Sequence, residues 1–355
     1  MPASTTKRAH VEHTGGSSMS RPGVGARIAA ARTMDSVFES IRPRLELVDG
    51  FIAEQFRPGP ETVQNAGGYV LNGGGKRLRP AVLLVVSRML GYRGDRDIRY
   101  GAVVEMIHSA TLVHDDIIDH AAVRRGRPAA NRQWGNQLTV LLGDWLYIRS
   151  MELILELGDV KVMRMLSRAT MEMIEGEIRG MELRRRADIT VDQYLDIARR
   201  KTAELFAAAC ALPSCFGEGR ERFRAPLEEY GRNLGICFQL VDDLLDLTAS
   251  EKRLGKPVFS DLLEGTFTLP FILLLPQVSP AERRVIETVL STGSMAGTTP
   301  DALRDMLHRH RVLDQTRTMA AEFAERAMAA VAQFPDTPER ASLAAAPMFI
   351  LERDR

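Results

Sequence analysis

"TLVHDDIIDH", residues 111–120, sets three carboxylates, Asp115, Asp116 and Asp119, among Leu112, Val113, Ile117 and Ile118. At roughly 100° per residue, a helix puts Asp115 and Asp119 on one face a turn apart and displaces Asp116 around it. Like charges at that spacing repel, and Asp is a poor residue for a helix interior. Something cationic must compensate. A lone cluster of this kind is as easily a solvated acidic helix edge. A second copy tips the balance: "ICFQLVDDLLDLT", residues 236–248, repeats the spacing with Asp242, Asp243 and Asp246 in an equally apolar run.

Two such helices facing each other make a cage of carboxylate oxygens, a donor set suited to hard Mg²⁺ and not to Zn²⁺, Cu²⁺ or an iron–sulfur centre. Mg²⁺ keeps several waters and shares its coordination with substrate phosphates. The pattern therefore calls for a phosphorylated ligand.

The rest of the chain reads as helix. Good helix formers dominate its 355 residues. Segments such as 38–56 and 191–212 carry apolar residues at three- and four-residue steps, while alternating strand patterns are nearly absent. Breaks at 91–97, 124–136, 217–223, 255–270 and 290–301 leave about ten or more helices joined by short loops. The expected fold is all-α, a large helical bundle around a central cavity. Residues 1–33, rich in Ser, Thr, Gly and basic residues, read as a disordered tail, and 34–355 as one helical domain. The tail's Arg-rich character also fits an organelle transit peptide, but the cytoplasm is the expected location.

No apolar run approaches a membrane span; "LPFILLLP", 269–276, is short and bounded by prolines. The net charge of +1 argues against a nucleic-acid surface. Cys210, Cys215 and Cys237 lack a CxxC pairing and lie in apolar runs, as reduced, buried thiols do.

Positive charge comes from two loops. "GGGKRLRP", 73–80, combines three glycines, which let backbone amides approach an anion, with Lys76, Arg77 and Arg79. It lacks the GxxxxGK[ST] spacing of a P-loop. "VRRGRP", 123–128, adds Arg124, Arg125 and Arg127 just after the first acidic cluster. Each loop alone is also compatible with a solvated basic turn. Together, two basic loops and two acidic helices describe a site for two diphosphates, one clamped through Mg²⁺ and one held directly by Lys and Arg.

From about Met34 onward the sequence resembles the trans-isoprenyl diphosphate synthases, and among them the long-chain polyprenyl (octaprenyl or solanesyl type) enzymes. The resemblance rests on "GGGKRLRP", "HSATLVHDDIIDHAAVRRGRP", "GDWLY", "RRKTAELF", "FQLVDDLLD" and "GKPVFSDLLEGTFTLP", in that order. It implies a prenyltransferase that adds isopentenyl diphosphate head-to-tail to an allylic diphosphate. It further implies that Lys76, Arg79, His108 and Arg125 hold the isopentenyl diphosphate. Arg124, Lys201, Thr202, Gln239 and Lys256 would face the allylic diphosphate and its developing cation, with Lys201, Thr202 and Gln239 nearest the chemistry. Asp115, Asp119, Asp242 and Asp246 would carry about three Mg²⁺ ions with substrate bound.

Thr266 departs from the family's usual lysine after Glu264 and Gly265, and Arg353 or Arg355 of the C-terminal "ERDR" is a further candidate for the extender site. Ala110 and Thr111, one turn before Asp115, are small, so a growing chain is expected to pass them toward Ile107 and Val104 and to exceed twenty carbons. Alternatives are a geranylgeranyl-length product or a partner-dependent subunit of a heteromeric synthase. A homodimer is expected, with at most peripheral membrane contact during product release. The nearest metal-enzyme rival, a di-iron bundle, wants two ExxH motifs, and only Glu105 to His108 fits.

Overall fold

The computed structural model describes residues 38–249, 258–295 and 297–353. The expected N-terminal tail, Lys256 and Arg355 lie outside the described residues. The helices are α1 (Arg42–Gln55), α2 (Glu61–Leu71), α3 (Leu78–Met89), α4 (Arg96–Ile118), α5 (Ala130–Glu156), α6 (Val160–Glu182), α7 (Val191–Ala198), α8 (Glu204–Ala211) and α9 (Arg224–Thr248). They continue as α10 (Ser260–Leu263), α11 (Leu269–Leu274), α12 (Pro280–Thr292), α13 (Pro300–Arg309), α14 (Val312–Ala332) and α15 (Pro338–Glu352). The all-α expectation holds.

Two helices organise the bundle. Every residue of α4 from Tyr100 to Ile107 is buried, the signature of a helix covered on all sides. It packs along α5 and against α1 and α3. Helix α9, buried at intervals from Leu227 to Leu247, packs along α8 and α14. One apolar cluster runs through both. Each aspartate motif falls in the last turns of its helix, and Asp119 is the C-cap of α4. Carboxylates at the negative end of a helix dipole raise the electrostatic cost already noted in the sequence. The cations that offset it come from elsewhere in the chain.

Two local structures differ from the sequence reading. Between α7 and α8, Arg199–Ala203 forms a π-helical turn, in which Glu204 N–H donates to Arg199 O. A Cβ on Gly176 of α6 would lie 2.7 Å from Lys201 N, so only glycine admits so close an approach. The expected loop at 124–136 is a two-stranded ribbon followed at once by helix. Strands β1 (Val123–Arg124) and β2 (Arg127–Pro128) pair antiparallel, and α5 begins at Ala130, with a break at Gly135. The ribbon turns at Arg125 (φ +53) and Gly126 (φ +74), the left-handed pair a tight primed turn requires.

Candidate active site

The π-turn joins the two acidic helices. Lys201 Nζ lies 3.8 Å from Asp115 Oδ2 on α4 and also contacts Glu177 on α6. Its neighbour Thr202 donates its hydroxyl to Gln239 Oε1 on α9 at 2.7 Å. Gln239 Nε2 in turn donates to Asp243 Oδ1 at 2.8 Å, and Tyr194 on α7 donates to Asp243 Oδ2 at 2.5 Å. An extra residue in one turn thus aims successive side chains, Lys201 and Thr202, at the two motifs.

The six aspartates divide by role. Asp116 is buried and pairs with Arg124, while its backbone carbonyl accepts from Asn131 at 2.8 Å, which anchors the β1–β2 ribbon to α4. Asp243 is buried in the Tyr194 and Gln239 contacts, its pKa raised by burial and by negative charge at Asp261 and Asp242. Asp246, expected at the metal, is also buried. Ser260 donates to its Oδ1 at 2.6 Å and Asp261 N–H to its Oδ2 at 3.3 Å, bonds that hold the chain entering α10. Asp242 is exposed, and Asp115 and Asp119 are partly exposed.

Asp115 lacks sufficient positive charge. Burial raises its pKa to about 6, with Glu177 and Asp119 adding to the effect of burial and Lys201 opposing it. Burial works against the ammonium of Lys201, but Asp115 and Glu177 outweigh it and hold the lysine above its ordinary pKa. Asp119 is met by Arg184, whose Nη2 lies 2.6 Å from Oδ1. The donors are carboxylate oxygens, and side-chain cations already stand against two of them, so the chemistry fits a divalent cation. Among the described residues no group of three or more His, Cys, Asp or Glu side chains is arranged to hold a metal ion unaided. Mg²⁺ takes one or two carboxylates and completes its shell with phosphate and water.

A second cluster lies beside the first. Arg79 is buried at the start of α3, its guanidinium 4.4 Å above the Phe206 ring, and its pKa is pushed down to about 10, chiefly by burial. Its Nε is buried with no hydrogen-bond partner among the described residues, an orphan donor that an anion would satisfy. Arg125 reaches back over the glycine loop, so that a Cβ on Gly75 would lie 2.8 Å from its Nη1. His108 sits in the field of this cluster; burial, then Arg79, Arg125, Arg124 and Arg77, push its pKa well below the ordinary value, so the imidazole is neutral. Lys76 is exposed on the same loop. Phe206 packs on Phe238, 5.7 Å between centroids, and Arg353 covers Phe238 at 5.2 Å, which brings the C-terminal arginine to the same aromatic wall.

Arg77 has a different task from the one its loop suggests. It pairs with Asp49 at 2.9 Å and Glu105 at 2.8 Å and donates to Leu71 O at 3.0 Å, which fixes the glycine loop to α1 and α4. Arg124, expected at the allylic diphosphate, is paired with Asp116. Glu177, Arg184 and Tyr194 went unread in the sequence. Glu177 and Tyr194 carry no signal there, since each sits on an ordinary amphipathic helix, whereas Arg184 belongs to a visible run, "RRR" at 184–186.

The chain is 36% identical to the octaprenyl diphosphate synthase of Escherichia coli over 308 residues, 87% of this chain and 95% of the relative. A solved polyprenyl synthase from Caulobacter crescentus, complexed with calcium and isoprenyl diphosphate, superposes with a TM-score of 0.86 at 32% identity, covering 91% of this chain and 98% of that one. A decaprenyl diphosphate synthase from Rhodobacter capsulatus gives 0.84 at 34% identity, covering 91% and 99%. The polyprenyl synthetase family model matches residues 60–306. With its two acidic helix ends joined by one π-turn and a separate buried cation cluster alongside, the chain belongs to the polyprenyl synthetase family of prenyltransferases.

Proposed function

We propose that the protein condenses isopentenyl diphosphate repeatedly with an allylic diphosphate, in Mg²⁺-dependent head-to-tail steps, to an all-trans polyprenyl diphosphate longer than twenty carbons. The observation that carries this reading is the pairing of two unlike anion sites: an acidic pair with its own cations at Asp115 and Asp119, and a basic pocket with an orphan donor at Arg79. One diphosphate binds through metal and the other directly.

Asp115, Asp119 and Asp242, with Asp246 behind them, would hold the ions, which supply Lewis-acid neutralisation of the departing diphosphate. Lys201 adds a fixed ammonium at the same place. The allylic C–O bond breaks toward a carbocation, the double bond of isopentenyl diphosphate attacks it, and the released pyrophosphate takes the proton. Thr202 and Gln239 present oxygen dipoles to the developing cation without being nucleophilic enough to trap it. Arg79, Arg125, Lys76 and neutral His108 hold the second diphosphate, and holding both substrates removes much of the entropic cost of their encounter.

The names of the octaprenyl and decaprenyl relatives support a long product. So do Ala110 and Thr111, which offer no aromatic floor one turn from the aspartates. Purified protein given Mg²⁺, isopentenyl diphosphate and farnesyl diphosphate should release pyrophosphate without an added partner, and chromatography of dephosphorylated products should show chains beyond geranylgeranyl. Ala110→Phe should shorten them; an unchanged distribution would place the tunnel on another face.

A second copy of the chain is the expected partner. Leu141, Ile148 and Leu155 on α5, at seven-residue spacing, and Met171, Ile174, Ile178 and Met181 on α6 are all exposed large apolar side chains. A stripe of that size marks an interaction surface. No helix among the described residues is long and apolar enough to cross a membrane.

A further inference from the structure

Three consecutive arginines, Arg184–Arg186, follow the C-cap of α6, and the structure gives each a different task. Arg186 pairs with Asp188 at 2.9 and 2.8 Å. Arg185 adopts φ +62, donates its N–H to Gly265 O at 2.7 Å, and sends its guanidinium to Ser291 O. Gly265 (φ +89) presses on the same turn, where a Cβ would lie 2.7 Å from Arg185 Cγ and 3.3 Å from Arg184 Cγ. The backbone of the turn is therefore clamped from one side. Only Arg184 reaches the candidate active site, where it meets Asp119, 65 residues earlier in the chain, at 2.6 Å. Both side chains keep about a quarter of their surface open, 28% and 24%, so a ligand can reach the pair.

An ion pair in that position serves no evident purpose for the fold, because Asp119 is already the C-cap of α4 and the arginine turn is held by Gly265 and Ser291. The pair joins the C-cap of α4 to the turn that follows α6. Facing it from α10 and beyond, the Glu264–Thr266 turn contributes no cation of its own. A guanidinium on a four-bond stem, fixed at its base and free at its tip, can exchange a carboxylate for a phosphate oxygen with little backbone movement.

We propose that Arg184 is a substrate-binding residue: it neutralises Asp119 while no divalent ion is present and transfers to an oxygen of the metal-bound diphosphate once the ion has taken Asp119. The assignment rests on the diphosphate chemistry proposed above. Two consequences separate it from an inert surface ion pair. Arg184 competes with the metal for Asp119, and it adds to affinity for the anion that arrives with the metal.

The test uses full-length protein and calorimetry with Mg²⁺ alone and with inorganic pyrophosphate at saturating Mg²⁺, neither of which needs turnover. In Arg184→Gln, Mg²⁺ alone should bind about threefold tighter or more, and pyrophosphate with Mg²⁺ about tenfold weaker or more, the size of one charge-assisted hydrogen bond. Arg184→Lys should fall between, and both variants should melt with wild type. In turnover assays KM for the allylic diphosphate should rise while KM for isopentenyl diphosphate stays within about twofold. Unchanged pyrophosphate affinity in Arg184→Gln, unchanged Mg²⁺ affinity, or absence of pyrophosphate binding to wild type overturns the proposal. Wild type that binds both probes as described but makes no prenyl product overturns the proposed function and leaves the role of Arg184 in anion binding standing.

Discussion

Thr202 and Gln239, 37 residues apart, share a 2.7 Å hydrogen bond that fixes which way the glutamine amide faces. The hydroxyl donates to Oε1, and Nε2 is committed to Asp243. Thr202→Val keeps the shape and removes the donor, so the amide loses the contact at Oε1 and is left oriented by Asp243 alone. We expect kcat to fall about tenfold or more with KM values little changed, as for an interaction made mainly in the transition state. Steady-state kinetics at saturating substrates check this, and an unaltered kcat would remove Thr202 from the chemistry.

Asp115 should make the metal-free protein less stable as pH rises. Its pKa lies near 6 against an ordinary 3.8, so the folded state binds the proton more tightly than the unfolded state. The penalty is absent below about pH 4, grows between pH 4 and 6, and is complete above 6. Its ceiling is about 3 kcal/mol, and partial solvent access lowers it to ~1–2 kcal/mol. Asp115→Asn should therefore stabilise the apo-protein by that amount at pH 7.5 and by almost nothing at pH 4, in chemical denaturation without Mg²⁺. The same variant should lose turnover by orders of magnitude.

Arg79 should show the opposite division of labour from a structural arginine. Its charge is buried with an unpartnered Nε, so Arg79→Met removes a desolvated cation and fills the space against Phe206. The variant should melt no lower than wild type. KM for isopentenyl diphosphate should rise roughly a hundredfold, while that for the allylic substrate changes little. A loss shared equally by both substrates would count against a separate extender pocket.

The α5–α6 stripe predicts assembly. Leu155→Glu combined with Ile148→Glu places charge on side chains that are 68% and 57% exposed in one protomer, so the monomer's own fold should survive. Sedimentation should move from dimer to monomer at micromolar concentration; a monomeric wild type would contradict the reading of the stripe.

Local periodicity made much of this legible. The helical segments within 38–56 and 191–212 and the repeated aspartate spacing follow from side chains three and four residues apart, and these are interactions a sequence displays directly. What stayed hidden depends on partners far along the chain. Arg77 reads as an anion ligand until Asp49 and Glu105 are seen to hold it, and nothing in the sequence pattern shows that Ser260 donates to Asp246. Arg184 could not be told from a solvated charge run, because its meeting with Asp119 spans 65 residues. The ribbon at Val123–Pro128 is too short for a period of two to register, and its left-handed Arg125 breaks the rule that reserves such backbone for glycine.

The π-turn at Arg199–Ala203 makes the spacing of this cavity depend on residue count as well as residue identity. A turn closed over five residues holds one more than the α-helix on either side of it. Exchanging any one of its side chains leaves that surplus in place. Removing a single residue would let α7 and α8 fuse into one regular helix and rotate one of them by roughly 100° about its axis. Lys201 or Thr202 would then swing off its motif, and Gly176 would face a different atom. The two acidic helices would remain, each correctly made, with no shared register between them. Insertions and deletions, harmless in most helix junctions of a bundle, therefore have a different meaning at this one: the junction acts as the gear that keeps α4 and α9 in phase.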